Sequence, residues 1–306
     1  MERHEIEAFL LLAEELHFRR TEERLGLAHG RVSQTIKRLE HRLGVTLFER
    51  TSRHVALTPA GRQLHDDLAP AYRQVREAVA RAVASGKGVT GTLRVGFSSQ
   101  WAADLLVEAA DVFRERHPDC AVQIQEVQLS DPFGPLRANA LDLQLTEFPV
   151  AEPDLVAGPV LFSEPRALIV PAQHPFARRE SVGLEDLART ELVSVSGDIP
   201  PYWIDYHYPR RTPEGRPITH GTTVVYWMEV LSLVAAGRGV SPAALRAAQY
   251  HSRPGIAFVP FRDAPPIEYG LLWPRNGVTA RVRSFVETVC EVASRAASEP
   301  RSNKAT

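Results

Sequence analysis

Residues 18–62 of the 306-residue chain read FRRTEERLGLAHGRVSQTIKRLEHRLGVTLFERTSRHVALTPAGR, and this stretch decides the fold of the N-terminal part. Apolar residues recur within it at intervals of four, three and four: Val32, Ile36, Leu39 and Leu43. This spacing predicts a helix whose apolar stripe packs against a core. The opposite face of the helix is therefore expected to lie in solvent.

That solvent face is rich in groups that form hydrogen bonds. It carries Ser33, Gln34 and Lys37, with Arg31 and Arg38 on its flanks. Amide and guanidinium groups match the hydrogen-bonding pattern of base edges in the major groove of DNA. Before this helix, Gly26 is suited to end a shorter helix, and residues 28–30 (Ala-His-Gly) supply the turn that sets the angle between the two helices.

After Gly44 the pattern changes to two short strands, 46–50 and 54–57, joined by residues 51–53. The resulting hairpin is a two-stranded wing with Arg50 and Arg53 near its tip, where arginines suit contact with phosphate or the minor groove. A basic amphipathic helix alone is more often an ordinary solvated surface. Together with the turn and the hairpin, it predicts a mostly helical, winged helix-turn-helix DNA-binding domain over residues 1–60.

Charge is distributed unevenly along this domain. Residues 31–53 hold six basic side chains against two acidic ones, a net charge of +4. Residues 1–30 hold four arginines against seven glutamates, a net charge of −3. The basic part is therefore expected to face phosphate and the acidic part to face away from it. The net charge of −1 for the whole chain conceals this asymmetry.

Residues 58–87 are predicted to form a linker helix, with Thr58 as its N-cap and Pro59 at the first helical position. Apolar residues recur along it at alternating intervals of four and three: Leu64, Leu68, Ala71, Val75, Ala78 and Ala82. This is the seam of a short coiled coil with a second copy of the chain. The alternative is that the seam packs on the chain's own C-terminal domain. Pro70 is expected to kink the helix rather than break it.

Beyond Gly86, Gly88 and Gly91, short apolar strands alternate with helices, which predicts the α/β fold class for the chain as a whole. Strands are expected at 92–97, 121–127, 141–145, 164–170, 192–195, 222–225 and 269–273, and helices at 102–116, 227–236 and 278–297. The polar residues 298–306 are expected to form a flexible tail.

The chain resembles the LysR-type transcriptional regulators. Members of that family open with an apolar helix like IEAFLLLAEELHF (6–18) and continue with a segment like RVSQTIKRLEHRLGVTLFERTSRHVALTPAG (31–61). Further similar segments are GTLRVGFSS (91–99), FRERHPDCAVQIQEV (113–127), ALDLQL (140–145), ALIVPAQHPFARRESVGLEDLA (167–188) and LVAAGRGV (233–240). The resemblance thus covers nearly the whole chain.

By this resemblance, the start of the recognition helix and the wing contact operator DNA. The residues concerned are His29, Arg31, Ser33, Gln34 and Lys37, together with Arg50 and Arg53. Two positions depart from the family's pattern. Glu22 stands where a small alanine is usual, and Gly30 stands where a proline usually opens the recognition helix. The sequence leaves two alternatives for Glu22, which is either partly buried beside Arg20 or Arg24 or pointed outward.

The resemblance also implies an effector-binding domain over residues 91–297, built as two α/β lobes similar to periplasmic solute-binding proteins. Lobe I is expected at about 92–161 and 268–297, and lobe II at about 162–267. A small-molecule effector, a co-inducer of unknown identity, is expected in the cleft between them. The implied assembly is a homodimer, paired again into a homotetramer, on double-stranded DNA that carries an interrupted palindrome. A contact with RNA polymerase is compatible with the resemblance.

The cleft is expected where strands end and helices begin, because the free backbone amides of a helix N-terminus favour an anionic group. Ser98, Ser99, Gln100 and Trp101 occupy such a point. The two serines are equally well explained as helix caps. Other strand ends supply further candidates for effector contact: Ser130, Thr146, Ser196, Gly197 and Thr223.

Residues 200–208 (PPYWIDYHY) place four aromatic side chains and a histidine near the expected cleft. We expect this segment, and Trp203 in particular, to line or cover the pocket and to favour a ring-bearing ligand. The alternative is that these rings only pack a long loop.

The sequence lacks the motifs of catalysis. It has no glycine-rich phosphate loop, no G-x-S-x-G turn and no H-E-x-x-H or paired-cysteine spacing, so no catalytic residue, metal ligand or cofactor is predicted, and an enzyme is disfavoured. Cys120 and Cys290 are expected to be free thiols rather than a redox switch. Two cysteines, no signal peptide and no long apolar run indicate a cytoplasmic protein without membrane contact. The main alternative function is a ligand-insensitive, architectural DNA-binding protein.

Overall fold

The computed structural model describes residues 1–50, 55–85 and 88–298, except for the side chains of residues 77, 78, 80–85, 297 and 298. The chain forms two compact units that divide between Val83 and Ala84. The N-terminal unit contains α1 (Arg3–Glu15), α2 (Phe18–Leu25), α3 (Arg31–Leu43), β1 (Phe48–Arg50), β2 (Val55–Leu57) and α4 (Pro59–Ser85). Helix, turn, helix and hairpin follow one another in the predicted order.

The predicted stripe on α3 is buried over three of its four residues. Val32, Ile36 and Leu39 are buried in the core of the N-terminal unit, where Phe9 and Phe48 also pack. Leu43 is exposed, so the prediction was wrong for the last position of the stripe. It directly precedes Gly44, which ends the helix in the left-handed conformation (φ 72°) and turns the chain away from the core.

Helix α4 is continuous through Pro70, as expected, and the predicted N-cap is confirmed because the Thr58 hydroxyl accepts a hydrogen bond from the Gly61 amide (2.9 Å). Its first half packs on the N-terminal unit, since Leu64 and Leu68 lie against that unit's core. Both leucines are only partly buried, so the coiled-coil seam stays a prediction. Val75 is 57% exposed, and the side chains of positions 78 and 82 lie outside the described residues.

The second unit consists of two lobes. Lobe I contains β3 (Gly91–Phe97), α5 (Gln100–Arg116), β4 (Cys120–Glu126), α6 (Gly134–Arg137), β5 (Leu143–Glu147), β6 (Leu155–Glu164), β12 (Ile267–Pro274) and α10 (Ala280–Ser298). Its five-stranded sheet has the order β4-β3-β5-β12-β6, in which β3 runs parallel to β4 and β5, and β12 runs antiparallel to β5 and β6.

Lobe II lies between β6 and β12 in the sequence. It contains β7 (Arg166–Pro171), β8 (Glu191–Val195), α7 (Pro201–His207), β9 (Thr219–Val224), α8 (Trp227–Ala235), β10 (Ser241–Ala244), α9 (Ala247–His251) and β11 (Ile256–Pro260). Strands β10, β7 and β11 form an antiparallel sheet with β7 at its centre, and β8 pairs with β9 in parallel.

The chain passes from lobe I to lobe II at Pro165, where residues 164–170 were predicted to be one strand. They are instead the end of β6 and most of β7, which belong to different sheets, because a proline donates no ladder hydrogen bond. Strands β6, β10 and β11 were not predicted from the sequence. Two of them resist recognition by composition, since β6 contains Gly158 and Pro159 and β10 reads only SPAA. No helix in the described ranges is long and apolar enough to cross a membrane.

Candidate nucleic-acid interface and ligand cavity

Helix α3 presents a polar face opposite its buried stripe. Arg31, Gln34, Lys37 and Arg38 are exposed, and Ser33 is half-buried. Gly30 precedes the helix with a φ of 82°, an angle that proline cannot adopt. The backbone amide of Gln34 donates to the Gly30 carbonyl (3.0 Å). The helix therefore begins after a glycine in the left-handed conformation, at the position where the family usually has proline.

Three of the cations on this face are free to bind an anion. Within residues 1–50 and the other described parts of the chain, Arg31, Lys37 and Arg38 have no carboxylate within 4.0 Å. Arg42, near the end of the same helix, is instead paired with the buried Glu5. The predicted basic surface is therefore concentrated on the first two turns of α3, and these side chains are available for phosphate or base contact.

Arg50 has a structural partner. Its Nη2 donates to Glu40 Oε2 (2.7 Å), and its guanidinium lies 5.1 Å from the centre of the Phe18 ring. The other oxygen of Glu40 accepts hydrogen bonds from the Leu47 and Phe48 amides. Arg50 thus joins α3 to the wing, and a phosphate contact through this arginine would compete with a formed ion pair. Arg53, the second predicted wing contact, lies outside the described residues.

Glu22 is buried, which decides between the two alternatives left by the sequence, but neither expected arginine is its partner. Arg20 and Arg24 both pair with Glu15, at 3.6 and 2.6 Å. The residue beside Glu22 is His29, whose Nδ1 lies 3.2 Å from Glu22 Oε2 while its side chain remains 93% exposed. The acidic group is therefore withdrawn from the DNA-facing surface and holds an imidazole at the entrance to α3.

The two lobes enclose a cavity of about 510 Å³, within the range of small-molecule sites. Five of the ten predicted effector residues line it: Ser98, Ser99, Gln100, Trp101 and Trp203. The first four come from the end of β3 and the start of α5 in lobe I, and Trp203 comes from α7 in lobe II. The cavity therefore has one wall from each lobe.

The alternative reading of the serines as helix caps is not supported. Ser99 is the N-cap residue of α5 by its backbone conformation, but its side chain makes no capping hydrogen bond. The hydroxyl oxygens of Ser98 and Ser99 are both buried without a hydrogen-bond partner. Buried hydroxyls are normally paired, so these two are exceptions among residues that line a cavity.

The other five predicted residues lie outside this cavity. The Ser130 carbonyl accepts from the Asp198 amide (2.7 Å), and a side chain at Gly197 would meet that carbonyl, so these residues join the lobes by backbone contact. Ser196 bonds the Val224 carbonyl through its amide (2.8 Å). Thr146 is buried within β5, and Thr223 lines a separate groove on the outside of lobe II. Strand ends alone were too coarse a criterion for choosing them.

Among the ionisable residues of the cavity wall, His207 and Tyr208 belong to the segment 200–208 that was expected to line the pocket, whereas Glu147 and Arg166 were not predicted. The pKa of Glu147 is raised, because the effect of burial outweighs the opposing effects of a hydrogen bond from Tyr269 (2.9 Å) and of the charge of Arg166. Burial holds the pKa of His207 well below 6.5, and the nearby charge of Arg166 acts in the same direction. His207 is therefore neutral near pH 7, and its Nε2 has no hydrogen-bond partner.

The aromatic segment 200–208 forms α7, not a long loop. Trp203, His207 and Tyr208 line the cavity, and the Trp203 and His207 rings lie 4.0 Å apart. Tyr202 points elsewhere, since its hydroxyl donates to Glu152 in lobe I (2.8 Å) and accepts from the Ala151 amide (3.0 Å). Burial, as the main cause, raises the pKa of Tyr202 to about 12. One short helix thus contacts both the cavity and the opposite lobe.

Both cysteines are free. Cys120 is buried in β4 and Cys290 is half-buried in α10, and burial raises the pKa of each thiol. A raised pKa lowers the thiolate fraction and so the reactivity with oxidants. Among the residues that the structure describes, no group of three or more His, Cys, Asp or Glu side chains is arranged to hold a metal ion.

Comparison with known proteins agrees with both halves of this architecture. Residues 4–62 match the bacterial regulatory helix-turn-helix proteins of the lysR family, and residues 86–294 match the LysR substrate binding domain. The HTH-type transcriptional regulator YnfL of Escherichia coli (strain K12) is 32% identical over 283 residues, which cover 88% of this chain and 90% of YnfL.

Two solved structures are similar in fold over nearly the whole chain. A full-length OxyR from Pseudomonas aeruginosa, in which one cysteine is replaced by aspartate, is 26% identical, with a TM-score of 0.58 over 96% of this chain and 94% of that one. CbnR is similar in fold, with a TM-score of 0.61 at 20% identity over 96% of this chain and 99% of CbnR.

By class, the chain is a DNA-binding transcriptional regulator with an N-terminal helix-turn-helix and a C-terminal effector-binding domain. It belongs to the LysR family. Its relatives are regulators and not enzymes.

Proposed function

We propose that this regulator binds its operator as a homodimer, paired into a homotetramer, and that a small-molecule effector in the cavity between the lobes changes the spacing of its DNA-binding units. The observation that carries the proposal is the cavity itself. It is built from both lobes, and four of its lining residues, Ser98, Ser99, Arg166 and His207, each carry a buried polar atom without a hydrogen-bond partner among the described residues. Native proteins leave few such groups unpaired, so a polar ligand is their natural partner.

On the DNA side, the exposed start of α3 supplies the base contacts. Gln34 is exposed on the face opposite the buried stripe, and a glutamine amide bonds adenine in bidentate fashion. Lys37 and Arg38, which have no carboxylate within 4.0 Å among the described residues, supply charges for the phosphates on either side. Two such units related by a two-fold axis read an interrupted palindrome on double-stranded DNA.

Dimerisation through the second half of α4 is supported by its exposed apolar residues. Val75 is 57% and Val79 is 60% exposed, and the two lie one helical turn apart. Beyond Tyr72, whose hydroxyl donates to Glu7 (2.6 Å), the helix offers this valine pair for packing against a second copy. A contact with RNA polymerase is a further element of the proposal, carried by membership of the family alone.

The effector acts only if it binds one arrangement of the lobes better than another, because equal affinity for two states shifts nothing. A molecule that contacts both walls of the cavity meets this condition. It bonds the α5 side and the α7 side together only when the lobes are in the arrangement described above.

The first test is genome-wide immunoprecipitation of DNA bound by the full chain in its native host. The expected result is a set of sharp peaks that share an interrupted palindrome, and a Gln34→Ala variant should lose the shared motif while keeping affinity for random duplex DNA. Diffuse occupancy without a motif would instead support the architectural alternative. Glu22 and Gly30, which depart from the family's usual residues, would then be interpreted as losses of sequence-specific recognition.

The second test addresses the effector. DNase I footprints on the recovered sites should change on adding a low-molecular-weight extract of host cells, and the change should be lost in Trp203→Ala, whose buried indole lines the cavity. Identical footprints with and without extract, for the unmodified chain, would refute regulation by a ligand.

A further inference from the structure

Arg166 differs from the other buried charged residues of the described chain. Glu5 is paired with Arg42, Glu164 with Arg246, and Asp186 with Arg179 and Arg262. Arg166 is only 6% exposed and has no carboxylate within 4.0 Å among the described residues. The charge of Arg166 acts on Glu147 from beyond that distance, but the two form no ion pair. A buried guanidinium without an ion-pair partner is unfavourable, and arginine cannot relieve it by losing its proton. Such a group persists where function requires it.

The surroundings of Arg166 fix its guanidinium in place. Its Nε donates to the Pro265 carbonyl (3.0 Å), and the ring of Tyr206 lies 4.6 Å from its central carbon. The Nη2 atom is buried and has no hydrogen-bond partner, and the residue lines the cavity. One edge of the guanidinium is therefore anchored, while Nη2 on the other edge has no acceptor among the described residues.

Further groups on the lobe I wall favour an anion. The Ser98 and Ser99 hydroxyls are unpartnered, and the first amides of α5, which have no partner within the helix, lie at the same end. A carboxylate matches this set, since it accepts several hydrogen bonds and pairs with guanidinium in bidentate geometry.

Other residues of the cavity limit the charge and shape of the ligand. Glu126, Glu147 and Glu229 also line it, so a second negative charge would meet carboxylates. Aromatic rings supply much of the remaining wall: Trp101, Trp203, Tyr208, Tyr226 and Trp227. Their flat, weakly polar faces suit a ring.

Building on the proposed function, we infer that the effector is a ring-bearing monocarboxylate and that Arg166 is the residue that binds its carboxylate. Arg166 lies at the start of β7, directly after the crossing between the lobes, so its carboxylate contact is made at the junction where their relative arrangement is set.

The test uses the full chain and four acids: benzoate, phenylacetate, 3-phenylpropionate and indole-3-acetate, each paired with its uncharged carboxamide. Binding is measured by thermal shift and by isothermal titration calorimetry. We expect at least one acid to bind and raise the Tm, and its carboxamide to bind at least about 30-fold more weakly, as expected when one partner of a buried charge pair is removed. Equal binding of acid and amide, or no binding by any acid, would overturn the inference.

The variant Arg166→Met separates recognition from a structural role. If Arg166 serves the ligand, the variant should have an unchanged or higher Tm without ligand, because an unpaired buried charge is removed. Affinity for the acid should fall by at least about 30-fold. A structural arginine would instead show a lower Tm without ligand, and retained acid binding would also refute the assignment.

Arg246→Met is the matched control. Arg246 is half-buried in the same lobe, its Nη1 lies 3.0 Å from Glu164 Oε1, and it does not line the cavity. This variant should lower the Tm, since it leaves the buried Glu164 without its partner, and should keep the preference for acid over amide. Failure of the inference is distinguishable from failure of the proposed function. If a ligand other than these acids alters the footprints, the regulator stands and only the effector class is wrong.

Discussion

Replacement of Arg38 with alanine should flatten the salt dependence of DNA binding without disturbing the fold of the N-terminal unit. Arg38 is exposed on α3 and has no carboxylate within 4.0 Å in the described part of the chain, so its charge is available to a phosphate. Each phosphate contact adds about 0.9 to the slope of log K against log salt concentration. A dimer with both units on one duplex loses two contacts, so the slope should become shallower by about 1.8.

This slope change is large enough to measure. When salt is raised from about 50 to 200 mM, both proteins lose affinity for DNA, and the loss for Arg38→Ala should be about 12-fold smaller than the loss for the unmodified chain. Fluorescence anisotropy on a labelled duplex of arbitrary sequence is sufficient, because non-specific binding consists mainly of this electrostatic term. No knowledge of the operator is needed.

Arg3→Ala is the control for this experiment. It removes the same charge from the same unit, but Arg3 is 82% exposed on α1 and pairs with Glu7 (3.0 Å) in the acidic part of the domain. Its slope should stay that of the unmodified chain. An unchanged slope for Arg38→Ala, or an equal change for Arg3→Ala, would show that α3 does not face the phosphates as reasoned here.

Three further outcomes are expected. The double variant Val75→Glu, Val79→Glu should sediment as a smaller oligomer, with half the mass of the unmodified protein or the mass of a monomer, since both valines are exposed on α4. An unchanged mass would place the dimer interface elsewhere. Hydrogen peroxide should leave DNA binding unchanged and form no disulfide between Cys120 and Cys290, whose pKa values are raised by burial, as mass spectrometry of the treated chain can show. Because the pKa of His207 is lowered in the folded chain, the unfolded chain takes up a proton at this residue first as pH falls below about 6.5, and the free energy of unfolding decreases. In denaturant titrations, His207→Gln should therefore remove up to about 2 kcal/mol of the stability loss between pH 7 and pH 5. An identical pH profile for the variant would contradict this.

The N-terminal unit was readable from sequence because its determinants are local. The spacing of Val32, Ile36 and Leu39 determines which face of α3 is buried, and the glycines at positions 26 and 44 end helices with φ values of 66° and 72°. The prediction that Leu43 is buried was wrong because the same periodicity gives no information on how far the core extends towards the end of a helix. Arg50 was read as a free wing cation because its partner Glu40 lies ten residues earlier on another element.

The cavity was only half readable for a related reason. Ser98 to Trp101 were found because a strand end followed by a helix start is a local pattern. Arg166 lay inside the predicted strand 164–170, and its surroundings depend on residues distant in the sequence: Tyr206 from α7 and Pro265 from the segment that returns to lobe I. Composition pointed to Trp203, since an aromatic cluster is visible in any sequence, but the sequence could not show that Tyr202 turns towards the other lobe.

The two lobes contact each other directly, and these contacts bear on what an effector can do. Tyr202 bonds Glu152, the Asp198 amide bonds the Ser130 carbonyl, and Tyr250 bonds Asp104, so contacts between the lobes exist on several sides of the cavity. Residues on both walls of the cavity nevertheless carry buried polar atoms that have no hydrogen-bond partner in the described part of the chain. In the proposed mechanism, an effector acts on the arrangement of the lobes described here. It supplies the missing acceptors of that arrangement and so stabilises it against any other, which is the differential affinity that a change in DNA binding requires.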